Sequence, residues 1–240
     1  MASLYLEKDH PCPYLEKELS RNLFFHSDIV DKNQLDVLLS QGWRHFGGLF
    51  FRPYCRDCAR CEALVIIADE FVPSKSQKRV FNKNADLSCE YSPLEFDKEH
   101  LDLINSFQKE RALKKGWPLE VYTESSYRHA FMGGSEWTKE IQIRDSQGKL
   151  IGISIVDVGH EAQSSVYFYS DPSESHRSLG TYSILIEVEW AKSDNRQAVY
   201  MGLWNDKAMS LAYKTKFGPS HHFPYQNPEP RLIQFIQENL

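Results

Sequence analysis

The chain has 240 residues, 41% of them hydrophobic and 13% aromatic, and a net charge of −5. That is enough apolar material for one large or two small cored domains, which excludes a disordered chain, and the acidic balance excludes indiscriminate coating of nucleic acid, because such affinity comes from neutralising many phosphates. Five cysteines, three of them crowded together, fit a secreted disulfide framework poorly, and without a signal-like start or a run of ~18 apolar residues the expectation is a cytoplasmic protein.

In chain order, Asp31 is placed to cap a helix with Leu35, Leu38 and Leu39 on one face and Gly42 as terminator. Arg44 to Arg52 reads as a hairpin turning at Gly47-Gly48. Leu64 to Ile67 forms a short buried strand, a helix follows from Ser74, and Leu87 to Tyr91 returns as a strand. Together these make a small cysteine-bearing α+β region over residues 1–92. Its helix carries Lys75, Lys78, Arg79 and Lys83 with no acid between them, a local basic patch on an acidic chain.

Residues 93–240 open with a helix from Asp97 to Lys115. Glu140 to Arg144, Leu150 to Val158 and Ser164 to Tyr169 then alternate as three antiparallel strands, the first pair turning at Ser146-Gln147-Gly148. Asp171-Pro172 ends the last strand, and Ser178 to Thr181 opens a helix containing Leu185, Val188, Glu189 and Lys192. Val199 to Leu203 is a further strand, and Asp206 is expected to cap a helix reaching Phe217.

Cys55, Cys58 and Cys61 stand at spacings of three, and Cys12 supplies a remote fourth thiol. Four such thiolates suit zinc or an iron-sulfur cluster; reduced cysteines and a regulatory redox site are the alternatives, and Cys89 on a strand reads as core. No Gly-x-Ser-x-Gly elbow, helical His-x-x-x-His or phosphate-binding Gly-x-x-x-x-Gly-Lys loop occurs, so the simplest hydrolase and nucleotide-triphosphatase chemistries are excluded. The loop from Arg177 to Tyr182 joins an aromatic strand to a helix, where backbone amides favour an anion or a developing oxyanion; an ordinary capped helix is the alternative.

Read together, several blocks resemble the aminoacyl-tRNA-protein transferases that add arginine or leucine to N-terminal Asp or Glu, creating an N-degron. The resemblance runs through Pro11 to Leu15, Gln41 to Arg44, Arg52 to Cys55, the cysteine cluster, Phe71 to Arg79, Asp157-Val158, Tyr167 to Pro172, Arg177 to Tyr182 and Tyr213 to Phe217. It implies a cysteine-bearing N-terminal region followed by an acetyltransferase-type N-acyltransferase domain with a mixed, largely antiparallel sheet and flanking helices. Tyr200 to Asn205 and the stretch from Trp117 to Trp137 depart from the family pattern.

The resemblance implies charged tRNA and proteins with N-terminal Asp or Glu as partners, with no membrane and no cofactor required for transfer. Ser76, Gln77 and Arg79 would hold the acceptor carboxylate or the tRNA end. Tyr167, Tyr169 and Asp171 would line the reaction centre, with Asp171 or Asp157 orienting the amine. The amides of Leu179, Gly180 and Thr181 would meet the ester, with Ser178 also binding substrate, and Lys214 and Lys216 would steer tRNA phosphates. Glu187 stands where leucyl enzymes tend to carry Gln and arginyl enzymes Glu, which tilts the donor towards arginine; a solvated helix residue is the alternative. Two rivals remain open: an acetyl-CoA-dependent N-acetyltransferase, for which Arg177 and Gly180 supply half a pyrophosphate loop but Tyr182 should obstruct it, and a metal-stapled RNA-binding module without catalysis.

Overall fold

The computed structural model describes residues 3–27, 29–116, 118–133, 136–225 and 236. Trp117 and residues 134 and 135, within the unusual middle stretch, lie outside them.

The first strands are β1 (Leu4–Leu6), β2 (His10–Pro11), β3 (Leu19–Ser20), β4 (Asn22–His26), β5 (Arg44–Phe46) and β6 (Leu49–Pro53), with helix α1 (Lys32–Ser40) between β4 and β5. β1, β4, β6 and β5 form a four-stranded sheet in that order, and β2 and β3 a separate pair. Asp31 caps α1 as expected, and a reciprocal bond from Gln34 completes a capping box. The β5–β6 turn falls at Gly47 and Gly48, both at positive φ, a conformation glycine enters without steric cost.

The second sheet takes β7 (Glu62–Ile67), β8 (Ser88–Pro93), β9 (Thr138–Arg144), β10 (Leu150–Val158), β11 (Ala162–Ser170), β12 (Ala198–Trp204) and β13 (Ser220–Pro224) in the order β13-β7-β12-β11-β10-β9-β8. It therefore draws strands from both sides of residues 92 and 93. Every pairing is antiparallel except β11 with β12. All nine β10 residues are buried because both faces of the sheet are covered.

Helices α2 (Lys75–Lys83) and α5 (Leu179–Ser193) cover one face; α1, α3 (Lys98–Lys115), α4 (Glu124–Phe131) and the small sheet cover the other. The helix expected from Asp206 to Phe217 is instead a turn followed by a short 3-10 helix over Ala212–Lys216. Asp206 does not cap it, since Leu211 occupies that position without a side-chain bond.

Three sets of polar contacts join the small sheet and α1 to the large sheet. The Asp36 carboxylate accepts the backbone N–H groups of His160, Glu161 and Ala162 at 2.9, 3.0 and 3.1 Å, gathering the β10–β11 turn. Trp137 Nε1 donates to the Val30 carbonyl at 2.7 Å. His45 Nδ1 lies 3.2 Å from Asp157 Oδ2, while Gly48 N–H donates to His45 Nε2 at 3.1 Å. The second bond leaves Nε2 without a proton, so Nδ1–H is the donor to Asp157.

Candidate functional site

The parallel pairing of β11 with β12 lasts for only three residues, Ala162–Ser164 against Ala198–Tyr200. Beyond that point both strands are bulged. On β11 the register skips Val166, and on β12 it skips Met201 beside Gly202, whose φ is +74°. A bulge increases local twist, and two bulges at the same level drive the strands apart. The opening is a cleft of about 540 Å³ with Ser165 to Phe168 on one wall, Met201 on the other and Ser178, Gly180 and Thr181 at its end.

Lys214 holds the β12 bulge. Its Nζ donates to the Met201 and Leu203 carbonyls, both at 2.7 Å, which supplies partners that the distorted ladder has lost. Burial and the neighbouring Arg44 cation lower the Lys214 pKa from 10.5 to about 7. Arg44 enters the split from β5: its Nη2 donates to the Ser165 carbonyl at 3.0 Å. Glycine is required opposite it, since a Cβ on Gly202 would stand 2.3 Å from the guanidinium.

The amino end of α5 closes the cleft. Ser178 sits in the left-handed region at φ 57° and makes no side-chain cap bond. The Thr181 and Tyr182 amides bond back to the Ser178 carbonyl at 2.9 and 3.1 Å, so the Leu179 and Gly180 amides precede the first intrahelical bond. They are the helix donors available to an external anion, while Thr181 contributes its side chain to the lining rather than its amide.

Glu187 lies one turn below Ser183 and is fully buried. Ser154 Oγ donates to its Oε1 at 2.5 Å, and its Oε2 is without a hydrogen bond among the described residues. Burial raises its pKa from 4.5 to about 7, against the opposing effect of the Ser154 and Ser165 hydroxyls. The folded state thus holds this proton more tightly than the unfolded chain. Its contribution to stability is complete below pH 4.5 and is lost as pH rises to 7, about 3 kcal/mol in all. Glu187→Gln should remove this loss: urea unfolding at pH 5 and pH 8 should show the variant gaining about 3 kcal/mol on the parent between the two.

The cleft therefore gathers Tyr167, Ser178, Gly180, Thr181 and Lys214 from the residues singled out in the sequence. Others lie elsewhere. Asp157 is fully buried against His45 and Thr138, and Tyr169 shares a 2.8 Å hydroxyl bond with Tyr127 inside the core. Asp171 pairs with Lys149 at 2.6 Å and accepts from Ser173. Leu179 buries its side chain, and Lys216 is exposed. Gln77 completes the Ser74 capping box and donates to the Lys216 carbonyl at 2.9 Å, so its amide is already committed.

Ser76 and Arg79 are exposed on α2. One end of that helix meets Lys216 through Gln77, and the other meets His176 through Lys83 and Arg177 through Asn84. α2 thus runs alongside the segments that flank the cleft, carrying its basic side chains on the outside. Lys214 is not a surface phosphate contact, because its ammonium is spent on two buried carbonyls. Arg44, Ser165, Ser183 and Tyr213 line the cleft with no role read from sequence, although Arg44 and Tyr213 fall within blocks that carried the family resemblance.

Cys12, Cys55, Cys58 and Cys61 do come together, on a second cavity of about 480 Å³ shared with Tyr14 and Tyr54. Among the described residues, however, no group of three or more His, Cys, Asp or Glu side chains is arranged to hold a metal ion. The thiols have protein partners: Cys55 Sγ donates to the Arg21 carbonyl at 3.8 Å, and Asn205 donates to Cys61 Sγ at 3.7 Å. Burial pushes the Cys61 thiol up to about 11 and raises Cys55 as well.

A mixed sheet whose one parallel pair is split by bulges, with a helix amino end aimed into the split, is an N-acyltransferase-like fold. FemX shares it with a TM-score of 0.53 at 9% identity, over 91% of this chain and 74% of that one. The C-terminal domain of a putative lysylphosphatidylglycerol synthetase from Agrobacterium fabrum shares it with a TM-score of 0.51 at 10% identity, over 89% and 71%.

Within that class, residues 10–79 match the family model for the N terminus of arginine-tRNA-protein transferase, and residues 99–224 match the one for its C terminus. The chain belongs to this family and is an aminoacyl-tRNA-protein transferase. An aspartate/glutamate leucyltransferase of Nitrosococcus oceani is 35% identical over 90% of each chain. One of Saccharophagus degradans is 31% identical over 92% of this chain and 93% of the relative.

One detail weighs against acetyl-CoA chemistry. Arg177 is held bidentately by Asp86 at 2.9 and 3.0 Å and by Glu174 at 2.8 Å, so it is not free for a pyrophosphate. Tyr182 does not obstruct the loop as expected from sequence; its ring is buried, with its hydroxyl donating to the Asn84 carbonyl.

Proposed function

We propose that this transferase moves leucine from leucyl-tRNA to the N-terminal Asp or Glu of a protein, creating an N-degron. The observation that carries the choice of leucine is the lining of the cleft. Val166, Phe168, Ile184 and Met201 give it apolar walls, and no carboxylate is among its described lining residues. A donated arginine would leave its guanidinium in this lining without an anion, which is costly, whereas a leucine side chain needs only apolar contact. Glu187 no longer favours arginine: it is buried behind the cleft and bonded to Ser154, and burial raises its pKa to about 7. The names of the relatives agree with leucine.

The chemistry asks little of the protein beyond positioning. The tRNA ester is already activated, and an α-amine with a pKa of about 7.7 to 8.0 is partly neutral near pH 7. It attacks the ester carbonyl, the negative charge on the tetrahedral intermediate meets the Leu179 and Gly180 amides, and the tRNA hydroxyl leaves. The basic outer face of α2, with Ser76 and Arg79, is the surface offered to the tRNA acceptor stem. The test is a competition: leucyl-, arginyl- and phenylalanyl-tRNA are supplied together to peptides beginning with Asp, Glu or Ala, and the products are read by mass spectrometry. Leucine added to the Asp and Glu peptides alone is the expected result. Addition of arginine, or extension of the Ala peptide at the same rate, overturns the reading.

A further inference from the structure

Arg44 is a half-buried cation with no ion pair among the described residues. Its Nη2 is used on the Ser165 carbonyl, but its Nε is buried and without a partner among the described residues. The nearest charged group lining the same cleft is Lys214, another cation, and no carboxylate is among the described lining residues. Two cations held together in a partly desolvated cleft repel one another, and an orphaned buried N–H adds a further cost. An anion entering the cleft relieves the repulsion.

We propose that Arg44 is the residue that reads the acidic side chain of the acceptor's first residue, its terminal guanidinium N–H groups donating to the carboxylate. The inference rests on the reading above that the acceptor begins with Asp or Glu. Geometry favours a carboxylate over a tRNA phosphate. Arg44 is half-buried inside the split, against Gly202 and bonded to β11, whereas the basic side chains suited to tRNA phosphates lie on the outer face of α2. A planar guanidinium suits a carboxylate approaching edge-on, which an ammonium in the same place would not match.

The test compares kcat/KM for Glu-start and Gln-start peptides, which differ in charge but hardly in shape. Wild-type enzyme should prefer Glu, and Arg44→Met should lower that preference by about 100-fold, the scale of a charged hydrogen-bonded contact. Arg44→Lys should keep only part of it, because a point charge replaces the fork. Gly202→Ala is a second route to the same group. Its Cβ would stand 2.3 Å from the guanidinium, so the charge stays but is displaced, and the preference should fall again. Should Arg44→Met fail to fold, Arg44→Lys and Gly202→Ala decide.

A purely structural role for Arg44 would slow both peptides equally and leave their ratio intact, and that result overturns the inference. So does an equal loss accompanied by a changed salt dependence for tRNA, which would assign Arg44 to a phosphate. If the wild-type enzyme extends no acidic-start peptide, the acceptor reading itself fails. If the wild type prefers Glu and the variants keep that preference in full, only the role of Arg44 fails.

Discussion

Replacing Lys214 with Met should lower kcat/KM for transfer by 100-fold or more, the scale on which a misplacement of about 1 Å costs an enzyme. The Lys214 ammonium touches no substrate in this account; it fastens the Met201 and Leu203 carbonyls on either side of Gly202. Without it two buried carbonyls lose their donor, at about 1–3 kcal/mol each, and the β12 bulge can relax towards β11 and narrow the cleft. Thermal unfolding should show the loss of stability alongside the loss of rate. The slope of activity against salt should not change, since a phosphate-steering lysine would lower that slope by about one unit. Lys214→Arg should not rescue, because a planar fork cannot satisfy two carbonyls aligned on one nitrogen.

Asp157→Ala should cost about 3 kcal/mol of stability, because it strands the buried His45 Nδ1–H at the junction of the β5–β6 hairpin and β10. Asp157→Asn should cost less, since its side-chain carbonyl can still accept that proton. Denaturant unfolding measures both. An aspartate that oriented the attacking amine would behave differently, with Asp157→Asn leaving stability intact and cutting kcat.

Much of the fold was written locally. Asp31 with Gln34 and Gly42 after Leu38 and Leu39 spells α1, Gly47-Gly48 spells a hairpin, and alternation marks β9 to β11. β4 and β13 are short strands stabilised by partners far along the chain, β13 lying against β7 some 150 residues earlier, and nothing local distinguishes them. The 3-10 helix before Phe217 escaped for the same reason: the Lys214 side chain is committed to β12, a tertiary constraint that helical spacing does not reveal.

The site was legible where it depends on backbone and misread where it depends on which way a side chain turns. Ser178 to Thr181 marked the amino end of α5, where the Leu179 and Gly180 amides precede the first intrahelical bond. Gln77 invited a substrate role, yet Ser74 followed three residues later by Gln is the spelling of a capping box, and that is where its amide is used. Tyr169 and Asp157 share strands with cleft residues, but their side chains are committed to Tyr127 and His45. Arg44 could not be found from its neighbours in sequence, because the carbonyl it meets belongs to Ser165, 121 residues away.

The most direct measurement is a crystal structure with a non-hydrolysable leucyl-adenosine in which an amide replaces the tRNA ester. The leucyl side chain should lie between Val166, Phe168 and Met201 with its carbonyl oxygen within 3.2 Å of the Leu179 or Gly180 amide, hydrogen-bonding reach for an N–H donor. Finding the analogue in the cavity of the four cysteines, with the β11–β12 cleft unoccupied, would contradict the account.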